Sequence, residues 1–441
     1  MPHTTQQPNR QAGRLALAGA ATASVAVAIA VAGTMPAAQA DVADPLAPAL
    51  GFNSFVENET VLASTESEGG IATGGNLAVA GSYNVNIHDA STFTAPGDSV
   101  PSALVVGGQV DFTQFPGSHV VQVHDYMKVG DLTGVEARNT DFNSASVNTH
   151  LVVDGAAYES VPRIELNTQQ PLDSVGPASP IDFAAAFTEL RANAADLYAC
   201  EGHEVEMKDN QGTVVPKGQV AQGQQIRIEL ATGQTNVLNV TGEDLNNMAD
   251  LVFLNKPTAD TPILINVDTS GTGGELDWDV KNQANAGGDT APYMLWNFRD
   301  TTLLRLTGAT VEGSILAPDA DYFDDSSSNV EGQVIAKNAH HGNVGVNGGE
   351  IHHFPFDASF ECIDVDPSID GSTDAPTTDD ATTSDGDDGT TGYDGTTGAG
   401  GEGLATTGQG VGGFVVAAAV LMGGGAAALI AMRRRRADAA E

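Results

Sequence analysis

Basic residues, aromatic residues and cysteines are all scarce in this sequence. Of its 441 residues, 18 are Lys or Arg and 57 are Asp or Glu, which gives a formal net charge of −39. Aromatic side chains make up 5% of the chain. Because so acidic a chain offers no basic patch that could neutralise phosphates, we expect neither nucleic-acid binding nor attraction to anionic lipids.

Recognisable catalytic motifs are also missing. The sequence contains no HExxH zinc motif, no GxSxG nucleophile elbow, no phosphate-binding P-loop and no paired zinc-type cysteines. Acidic residues are so numerous that choosing two as a catalytic pair would be arbitrary. We therefore expect no enzymatic activity. A polysaccharide-active β-helix enzyme stays an alternative, although such sites combine acids with Lys or Arg, which are few here.

The N-terminal segment has the pattern of an export signal. Two arginines precede an apolar run at residues 15–32, and Ala38 and Ala40 supply the small-x-small pattern that signal peptidase requires. We predict that residues 1–40 are a signal peptide and that the mature chain begins at Asp41.

The C-terminal segment combines a short motif, an apolar run and a basic tail in that order. The motif consists of Leu404, Ala405, Thr406, Thr407 and Gly408. Residues 411–432 carry no charge, and at about 1.5 Å per residue a helix of that length spans roughly 30 Å of hydrocarbon. The tail, residues 433–441, begins with four arginines, which favour the cytoplasmic side and stop transfer. We therefore predict a transmembrane helix at residues 411–432.

This order resembles the cell-wall sorting signal of Gram-positive surface proteins. The LAxTG form resembles the variant used by sortases of high-GC species. The resemblance implies two partners, a sortase that cuts between Thr407 and Gly408 and the peptidoglycan to which Thr407 becomes covalently joined. Residues 404–441 would then be a sorting signal whose membrane anchor is transient. An uncleaved C-terminal membrane anchor is the alternative.

Residues 366–403 differ in composition from the residues before them. They are almost wholly Asp, Thr, Gly, Ser and Ala, they include one aromatic residue, Tyr393, and they contain no Lys or Arg. Such a segment cannot bury a core, and its like charges repel one another. We predict a disordered, wall-spanning tether.

Residues 41–365 form the predicted folded body and are rich in Gly, Val, Ala and Asn. Residues 309–317 (ATVEGSILA) and 328–336 (SNVEGQVIA) repeat one pattern with a period of about 20 residues, and looser copies lie earlier. Each copy has one short β-branched strand and one glycine turn. This pattern favours a right-handed β-solenoid, in which successive copies stack on one another.

Residues 180–200 show helical rather than β periodicity. Asp182 is suited to cap a helix or to lie in its first turn, and apolar residues recur at three- and four-residue spacing. These residues are Phe183, Phe187, Leu190, Ala194 and Leu197. The predicted fold class is therefore mainly β: a right-handed β-solenoid with a long α-helix packed alongside, followed by a disordered tether and a C-terminal transmembrane helix.

Several segments of the body resemble the choice-of-anchor A domain, an exported bacterial surface domain followed by alternative anchoring tails. They are residues 51–56 (GFNSFV), 69–77 (GGIATGGNL), 296–298 (WNF), 313–318 (GSILAP), 331–336 (EGQVIA) and 349–356 (GEIHHFPF). The resemblance implies an adhesin-like surface domain and transfers no catalytic residue. The order of strands, helix and closing strands is also similar to that of ice-binding β-solenoids, so ice binding stays an alternative.

Two groups of side chains are candidates for a metal site. Asp319, Asp321, Asp324 and Asp325 fall in a predicted loop between the two repeat copies, and their oxygens suit calcium. His340 and His352 offer imidazole ligands, but each is adjacent to a second histidine that would point to the opposite face of a strand. We expect a solvated acidic loop and hydrogen-bonded histidines, hence no cofactor, with calcium as the alternative. The family resemblance implies that Glu350 and His352 cap the last strand.

The two cysteines are Cys200, after the predicted helix, and Cys362, near the end of the body. In an oxidising exterior, two cysteines in an otherwise cysteine-free mature chain favour a disulfide. Two separate thiols are the alternative.

These features together predict a secreted, cell-wall-anchored protein on the outer surface of a high-GC Gram-positive bacterium. We expect a non-enzymatic, adhesin-like module, presented on an acidic tether, that binds an unidentified extracellular protein or glycan. A structural coat protein, an ice-binding protein and a polysaccharide-active enzyme are the alternatives.

Overall fold

A computed structural model of the protein describes residues 44–344 and 348–362. The predicted signal peptide, tether, sorting motif and transmembrane helix all lie outside these residues. Within residues 44–344 and 348–362, no helix is long and apolar enough to cross a membrane.

The described residues contain 26 strands. The first thirteen are β1 (Ser54–Val56), β2 (Thr60–Leu62), β3 (Glu66–Ser67), β4 (Ile71–Thr73), β5 (Leu77–Val79), β6 (Tyr83–Val85), β7 (Ser102–Asp111), β8 (Val120–Val123), β9 (Tyr126–Asp131), β10 (Val135–Thr140), β11 (Ser146–Val153), β12 (Arg163–Leu166) and β13 (His203–Glu204). The others are β14 (Gln224–Ile228), β15 (Asn236–Thr241), β16 (Met248–Phe253), β17 (Ile263–Asp268), β18 (Glu275–Val280), β19 (Asn282–Ala284), β20 (Met294–Asn297), β21 (Leu303–Gly308), β22 (Val311–Glu312), β23 (Ser314–Asp324), β24 (Val330–Glu331), β25 (Val334–His341) and β26 (Glu350–His352).

Helices are few and mostly short. The α-helices are α1 (Leu172–Val175), α2 (Phe183–Tyr198) and α3 (Gly242–Asn247). Short 3-10 helices span Ala47–Ala49, Ser270–Thr272 and Ala291–Tyr293.

The strands form three sheets. The largest has 14 strands, and its main path runs β1-β4-β7-β5-β2-β25-β23-β20-β17-β15-β13, with β9 beside β7, and with β21 joining β18 to β23. A sheet of nine strands has the order β10-β11-β12-β8-β6-β3-β26-β24-β22, and a sheet of three has the order β14-β16-β19. Among the described strands, the antiparallel pairs are β10–β11 and β11–β12.

Six strands of the largest sheet close on themselves. β1 pairs with β4 and β25, β7 pairs with β4 and β5, and β2 pairs with β5 and β25, all in parallel. Ser54 in β1 is therefore the neighbour of Val334 in β25. The predicted right-handed β-solenoid, with copies stacked in chain order, is wrong. The body is mainly β with few helices, built around a closed, barrel-like set of parallel strands.

The sequence repeat that suggested the solenoid is a local feature. β22 and β24 pair in parallel, with Val311 beside Val330. The turns that follow them are glycine because they approach closely: Gly313 has φ +106°, and a Cβ on Gly332 would lie 2.7 Å from the carbonyl carbon of Gly313. Beyond these copies, the neighbours of β25 are β1 and β2 from the start of the body, which no local repeat specifies.

Helix α2 covers one part of the large sheet. Asp182 caps it, since its carboxylate accepts a hydrogen bond of 3.0 Å from the backbone N–H of Ala185. The five apolar residues predicted for its inner face are all buried. They pack on one row of sheet residues that includes Phe55, Leu264 and Ile335. Burying this apolar row stabilises the body, and it removes this part of the sheet from contact with solvent.

Candidate binding groove

A second part of the large sheet faces solvent on one side. It consists of β18, β21, the end of β23, the end of β25, β2 and β5. Along the end of β23, buried residues alternate with half-buried ones, so that Tyr322 and Asp324 point into the core while Asp321 and Phe323 point outward. The same alternation in β25 places His340 outward and His341 in the core. This surface is called the groove face below.

A groove of about 370 Å³ lies in the middle of this face. Its floor is a row of neighbours on four adjacent strands, because Phe323 pairs with His340, His340 with Val61, and Val61 with Ala78. The rings of Phe323 and His340 are 4.8 Å apart at their centroids. Both rings are half-buried and present an aromatic surface to solvent, beside the buried side chains of Val61 and Ala78.

Arg305 extends the aromatic row on one side. Its guanidinium carbon lies 4.6 Å from the centroid of the Phe323 ring, a cation–π distance. Two carboxylates hold the guanidinium, Asp325 at 2.7 Å and Asp277 at 3.3 Å. These contacts, above all the hydrogen bond that the guanidinium donates to Asp325, raise the pKa of Arg305. The charge of Arg305 is therefore paired with these carboxylates, and its guanidinium borders the aromatic row.

Polar side chains form the rim of the groove. The amide of Asn338 donates a hydrogen bond of 2.7 Å to the carboxylate of Asp321. Across the groove, Asp111 accepts from the hydroxyl and the backbone N–H of Thr113, both at 2.7 Å, and these bonds lower its pKa. Glu59 and Gln114 complete the exposed rim. Among the described residues that line the groove, none is Lys or Arg.

His340 is the titratable group on the floor. Burial is the largest cause of its lowered pKa, opposed by the charge of Asp325 and reinforced by Arg305. The imidazole is therefore neutral at physiological pH and can both donate and accept a hydrogen bond.

Beneath the floor lies a buried polar layer. The hydroxyl of Ser54 and Nε2 of His341 are 2.8 Å apart. Burial lowers the pKa of His341 to about 3 and raises the pKa of its strand neighbour Asp324 to about 7. Both groups are thus held in their neutral forms in the folded protein at mildly acidic pH.

The structure separates the six residues considered as metal ligands. Asp319 accepts a hydrogen bond of 2.7 Å from Arg191 of helix α2, Asp324 lies in the core, and Asp325 pairs with Arg305. Only Asp321 and His340 come to the same groove.

The predicted acidic loop is itself wrong, because Asp319, Asp321 and Asp324 belong to the long strand β23, in which Asp324 is buried while Asp319 and Asp321 are half-buried. Within residues 44–344 and 348–362, no group of three or more His, Cys, Asp or Glu side chains is arranged to hold a metal ion.

His352 lies on a different surface, the outer side of the nine-stranded sheet. Its Nδ1 is 3.0 Å from Glu331, and its Nε2 is 3.0 Å from Glu350. Burial opposes the protonation of His352, but these contacts outweigh it and raise its pKa. Glu312 is the next residue in this row. Burial and the charge of Glu331 raise the pKa of Glu312 to about 7. His352, Glu331 and Glu350 satisfy one another here, which leaves fewer of their polar atoms for a ligand to bind.

A second depression, of about 670 Å³, also lies on the nine-stranded sheet. Its aromatic side chain, Tyr158, stacks on His150 with centroids 3.8 Å apart and donates its hydroxyl to the carbonyl of Asn148. Gln122 donates to Glu165 at 2.9 Å. The aromatic ring and the main polar groups of this depression are thus engaged with one another.

The two cysteines form the predicted disulfide, Cys200–Cys362. It joins Cys200, two residues beyond helix α2, to the end of the described body, where Phe356 and Phe360 pack into the same cluster as the helix. The disulfide therefore stabilises the part of the sheet that helix α2 covers, and not the groove. The sorting-signal residues and the signal-peptidase site, Ala38 and Ala40, lie outside the described residues.

Sequence reasoning missed Phe323, Arg305 and Asn338. Polar and apolar residues alternate at 319–322, as in a strand, but the outward Phe323 and the buried Asp324 reverse the pattern, and the acids alone suggest a charged loop. The pairing of His340 with Val61, which comes from the start of the body, had no signal in the sequence.

The body is mainly β, and its largest sheet carries a solvent-facing groove. Residues 45–353 match the family model "Putative Ice-binding-like adhesive domain". The chain belongs to this ice-binding-like adhesive family. No curated protein matches the chain.

Solved structures of ice-binding proteins are similar to the chain at low identity. One from an Antarctic biological consortium has 10% identity and a TM-score of 0.30, and the match covers 75% of this chain and 96% of that one. A glycosylated ice-binding protein from an Arctic yeast has 10% identity and a TM-score of 0.28, covering 73% and 96%. One from an Antarctic Flavobacteriaceae bacterium has 10% identity and a TM-score of 0.24, covering 70% and 98%.

Proposed function

We propose that this protein is an exported, non-enzymatic adhesive protein that binds an extracellular ligand through its groove face. The observation that carries the proposal is the difference between the two parts of the large sheet. Helix α2 buries one part, whereas the other presents the half-buried rings of Phe323 and His340 within a polar rim. An aromatic surface surrounded by oriented polar groups is typical of a binding site. Membership of an adhesive family supports this reading.

The proposal includes the place of action. The apolar segment before Asp41 and the LATTG order at residues 404–408 support export followed by covalent attachment to peptidoglycan. The likeness to choice-of-anchor A proteins belongs to the same proposal. The acidic residues 366–403 would then be the tether that links the body to the wall.

Ice binding is a second candidate, favoured by the family description. The outward row of the groove face argues against it, since Asp277, Arg305, Phe323 and His340 are neighbours on successive strands. Such a row mixes charge and aromatic rings rather than repeating one small side chain. For a polysaccharide-cleaving enzyme, the groove supplies acids without the Lys or Arg that such sites combine with them.

Adhesion by living cells tests the proposal. Cells that display the full chain would be compared with cells that lack it, on surfaces coated with collagen, mucin, cellulose or chitin, and against growing ice. We expect chain-dependent, saturable adhesion to at least one coated surface, with no release of soluble fragments. Adhesion to ice alone would favour the second candidate, and equal adhesion of the two strains to all surfaces would overturn the proposal.

A further inference from the structure

We propose that the groove binds a neutral saccharide unit through the ring of Phe323 and the polar rim that contains Asp321 and Asn338. This inference rests on the proposed adhesive function and narrows its ligand to a chemical class. It draws on four properties of the groove: its size, its floor, its rim and its charge.

The size of the groove suits a small unit. Its volume of about 370 Å³ is at the lower end of the roughly 300–1,000 Å³ found for ligand pockets. A folded protein partner would instead need a broad surface, of about 800 Å² on each side. One or two sugar rings, as a terminal or branching part of a glycan, fit a depression of this volume.

The floor provides the apolar contact that a sugar ring makes with its C–H face. Phe323 and His340 lie beside Val61 and Ala78 in one continuous row. Ala78 and Val61 belong to a small apolar cluster with Ala63 and Ala80, against which Phe115 packs. An aromatic ring at the floor adds contact area at little cost in conformational entropy, because its position is fixed by its neighbours.

The rim provides hydrogen-bonding groups around this floor. Asp321 and Asn338 are joined at 2.7 Å, so each is held in one orientation and keeps further oxygen lone pairs or N–H groups for a ligand. Asn338 is fixed on its other side, where its Oδ1 accepts from the backbone N–H of Glu59 at 3.1 Å. Carboxylates accept hydroxyl hydrogens in short, charge-assisted bonds, and a saccharide supplies several such hydroxyls.

The charge of the groove excludes the acidic saccharides. Glu59, Asp111 and Asp321 line it without a basic residue among its described lining. The nearest guanidinium in the row, Arg305, is occupied by Asp325 and Asp277. A uronic, sialic or sulfated sugar would therefore meet like charge with no partner, on a chain whose net charge is already −39.

The test is binding of the full chain to free disaccharides, measured by titration calorimetry. The neutral probes are cellobiose, mannobiose, lactose and N,N′-diacetylchitobiose, and the anionic probes are digalacturonic acid and a heparin disaccharide. We expect at least one neutral probe to bind with a dissociation constant of about 1 mM or tighter, and neither anionic probe to bind at that concentration.

Two variants and two matched controls locate the site. Phe323→Ala should weaken the binding of the neutral probe about tenfold, and Asp321→Asn about threefold to tenfold. The controls are Phe142→Ala, which removes a ring that is 90% exposed at the β10–β11 turn, and Asp173→Asn, which changes an exposed acid on helix α1 away from the groove face. Both controls should bind as the unchanged chain does. Thermal unfolding of each variant shows that it is folded.

Three results would overturn the inference: no neutral probe bound at about 1 mM, anionic probes bound as well as neutral ones, or undiminished binding by folded Phe323→Ala protein. Each of these is distinguishable from failure of the adhesive function. If the adhesive function fails, the displaying cells adhere to no coated surface at all. If only the saccharide inference fails, their adhesion stays intact.

Discussion

The hydroxyl of Ser54 lies 2.8 Å from Nε2 of His341 in the core of the body. The contact joins the first strand to one of the last, at the place where the six parallel strands close. Asp324 is the strand neighbour of His341 and is equally buried. Closure of the body therefore brings an acid and an imidazole into the core, both in neutral form, and makes stability depend on pH.

The two groups act in opposite directions on the free energy of unfolding. His341 has a folded pKa of about 3, below its ordinary 6.5. Its contribution to the free energy of unfolding is therefore fully present above pH 6.5 and is lost as the pH falls toward 3. Asp324 has a folded pKa of about 7, above its ordinary 3.8, so its contribution is full below pH 3.8 and is lost as the pH rises toward 7. Between these limits the two effects offset each other.

Single variants should separate these effects. Relative to the unchanged chain, His341→Gln should gain stability as the pH falls from 6.5 to 4, by up to about 1 kcal/mol per pH unit. Asp324→Asn should gain stability by a similar amount as the pH rises from 4 to 7. Urea unfolding at a series of pH values measures both. Parallel stability curves for all three proteins would contradict the assignment of buried, neutral groups.

A buried ion pair predicts a large effect at Lys128. Its ammonium contacts the carboxylate of Asp98, both side chains are 8% exposed, and it also donates to the carbonyl of Ser174 at 2.6 Å. Lys128→Met leaves Asp98 as an uncompensated buried charge, so we expect a loss of about 3–5 kcal/mol in the free energy of unfolding.

The control for Lys128 is Lys208→Met. Lys208 pairs with Glu206 at 3.1 Å, but these side chains are 37% and 55% exposed. We expect a change of about 0–1 kcal/mol in chemical denaturation, because solvent screens such a pair. Equal losses for the two variants would show that the Lys128 pair is not buried in solution.

The elements of this structure differ in how well the sequence predicts them. Helix α2 could be predicted, because Phe183, Phe187 and Leu190 are spaced to form one apolar stripe and Asp182 lies at the start of the helix. Periodicity is a property of a continuous segment, and a segment of this length displays it fully. The paired cysteines were accessible for a similar reason, since only one intramolecular pairing exists for two cysteines.

The closure of the sheet was not accessible. Phe55 pairs with Ile335, and both have the short apolar surroundings that any central parallel strand has. Nothing in either segment specifies the other as its neighbour. The groove was missed for the same reason, since Val61 and His340 become neighbours only through this closure. The acids of β23 were misread because alternate Asp residues also occur in loops.

The disulfide should contribute strongly to stability. Cys200 and Cys362 are separated by 162 residues, and the loop-entropy relation gives about 4–5 kcal/mol for closing a chain segment of that size. Addition of a reductant should therefore lower the midpoint of thermal unfolding of the unchanged chain. The Cys200→Ala/Cys362→Ala protein should show the lower midpoint with and without reductant. An unchanged midpoint in the reduced chain would mean that the bond contributes little.

Calcium should have no effect on stability. Asp319, Asp321, Asp324 and Asp325 direct their carboxylates to helix α2, the groove rim, the core and Arg305 respectively. We expect the same midpoint of thermal unfolding for the full chain in about 1 mM calcium and in excess EGTA, because a calcium site requires convergent oxygens. A higher midpoint in calcium would show that carboxylates converge on the ion after all.

The groove face is the central claim, and a matched pair of substitutions tests it most directly. Gln114 is exposed on the groove rim, and Gln122 is exposed on the outer side of the nine-stranded sheet. Adhesion of cells displaying the full chain would be measured for Gln114→Arg and Gln122→Arg on the surface that the unchanged chain binds. We predict that Gln114→Arg, whose longer charged side chain obstructs the groove, lowers adhesion at least about tenfold, while Gln122→Arg leaves it unchanged. Loss of adhesion with Gln122→Arg alone would contradict the claim and move the binding site to the other sheet.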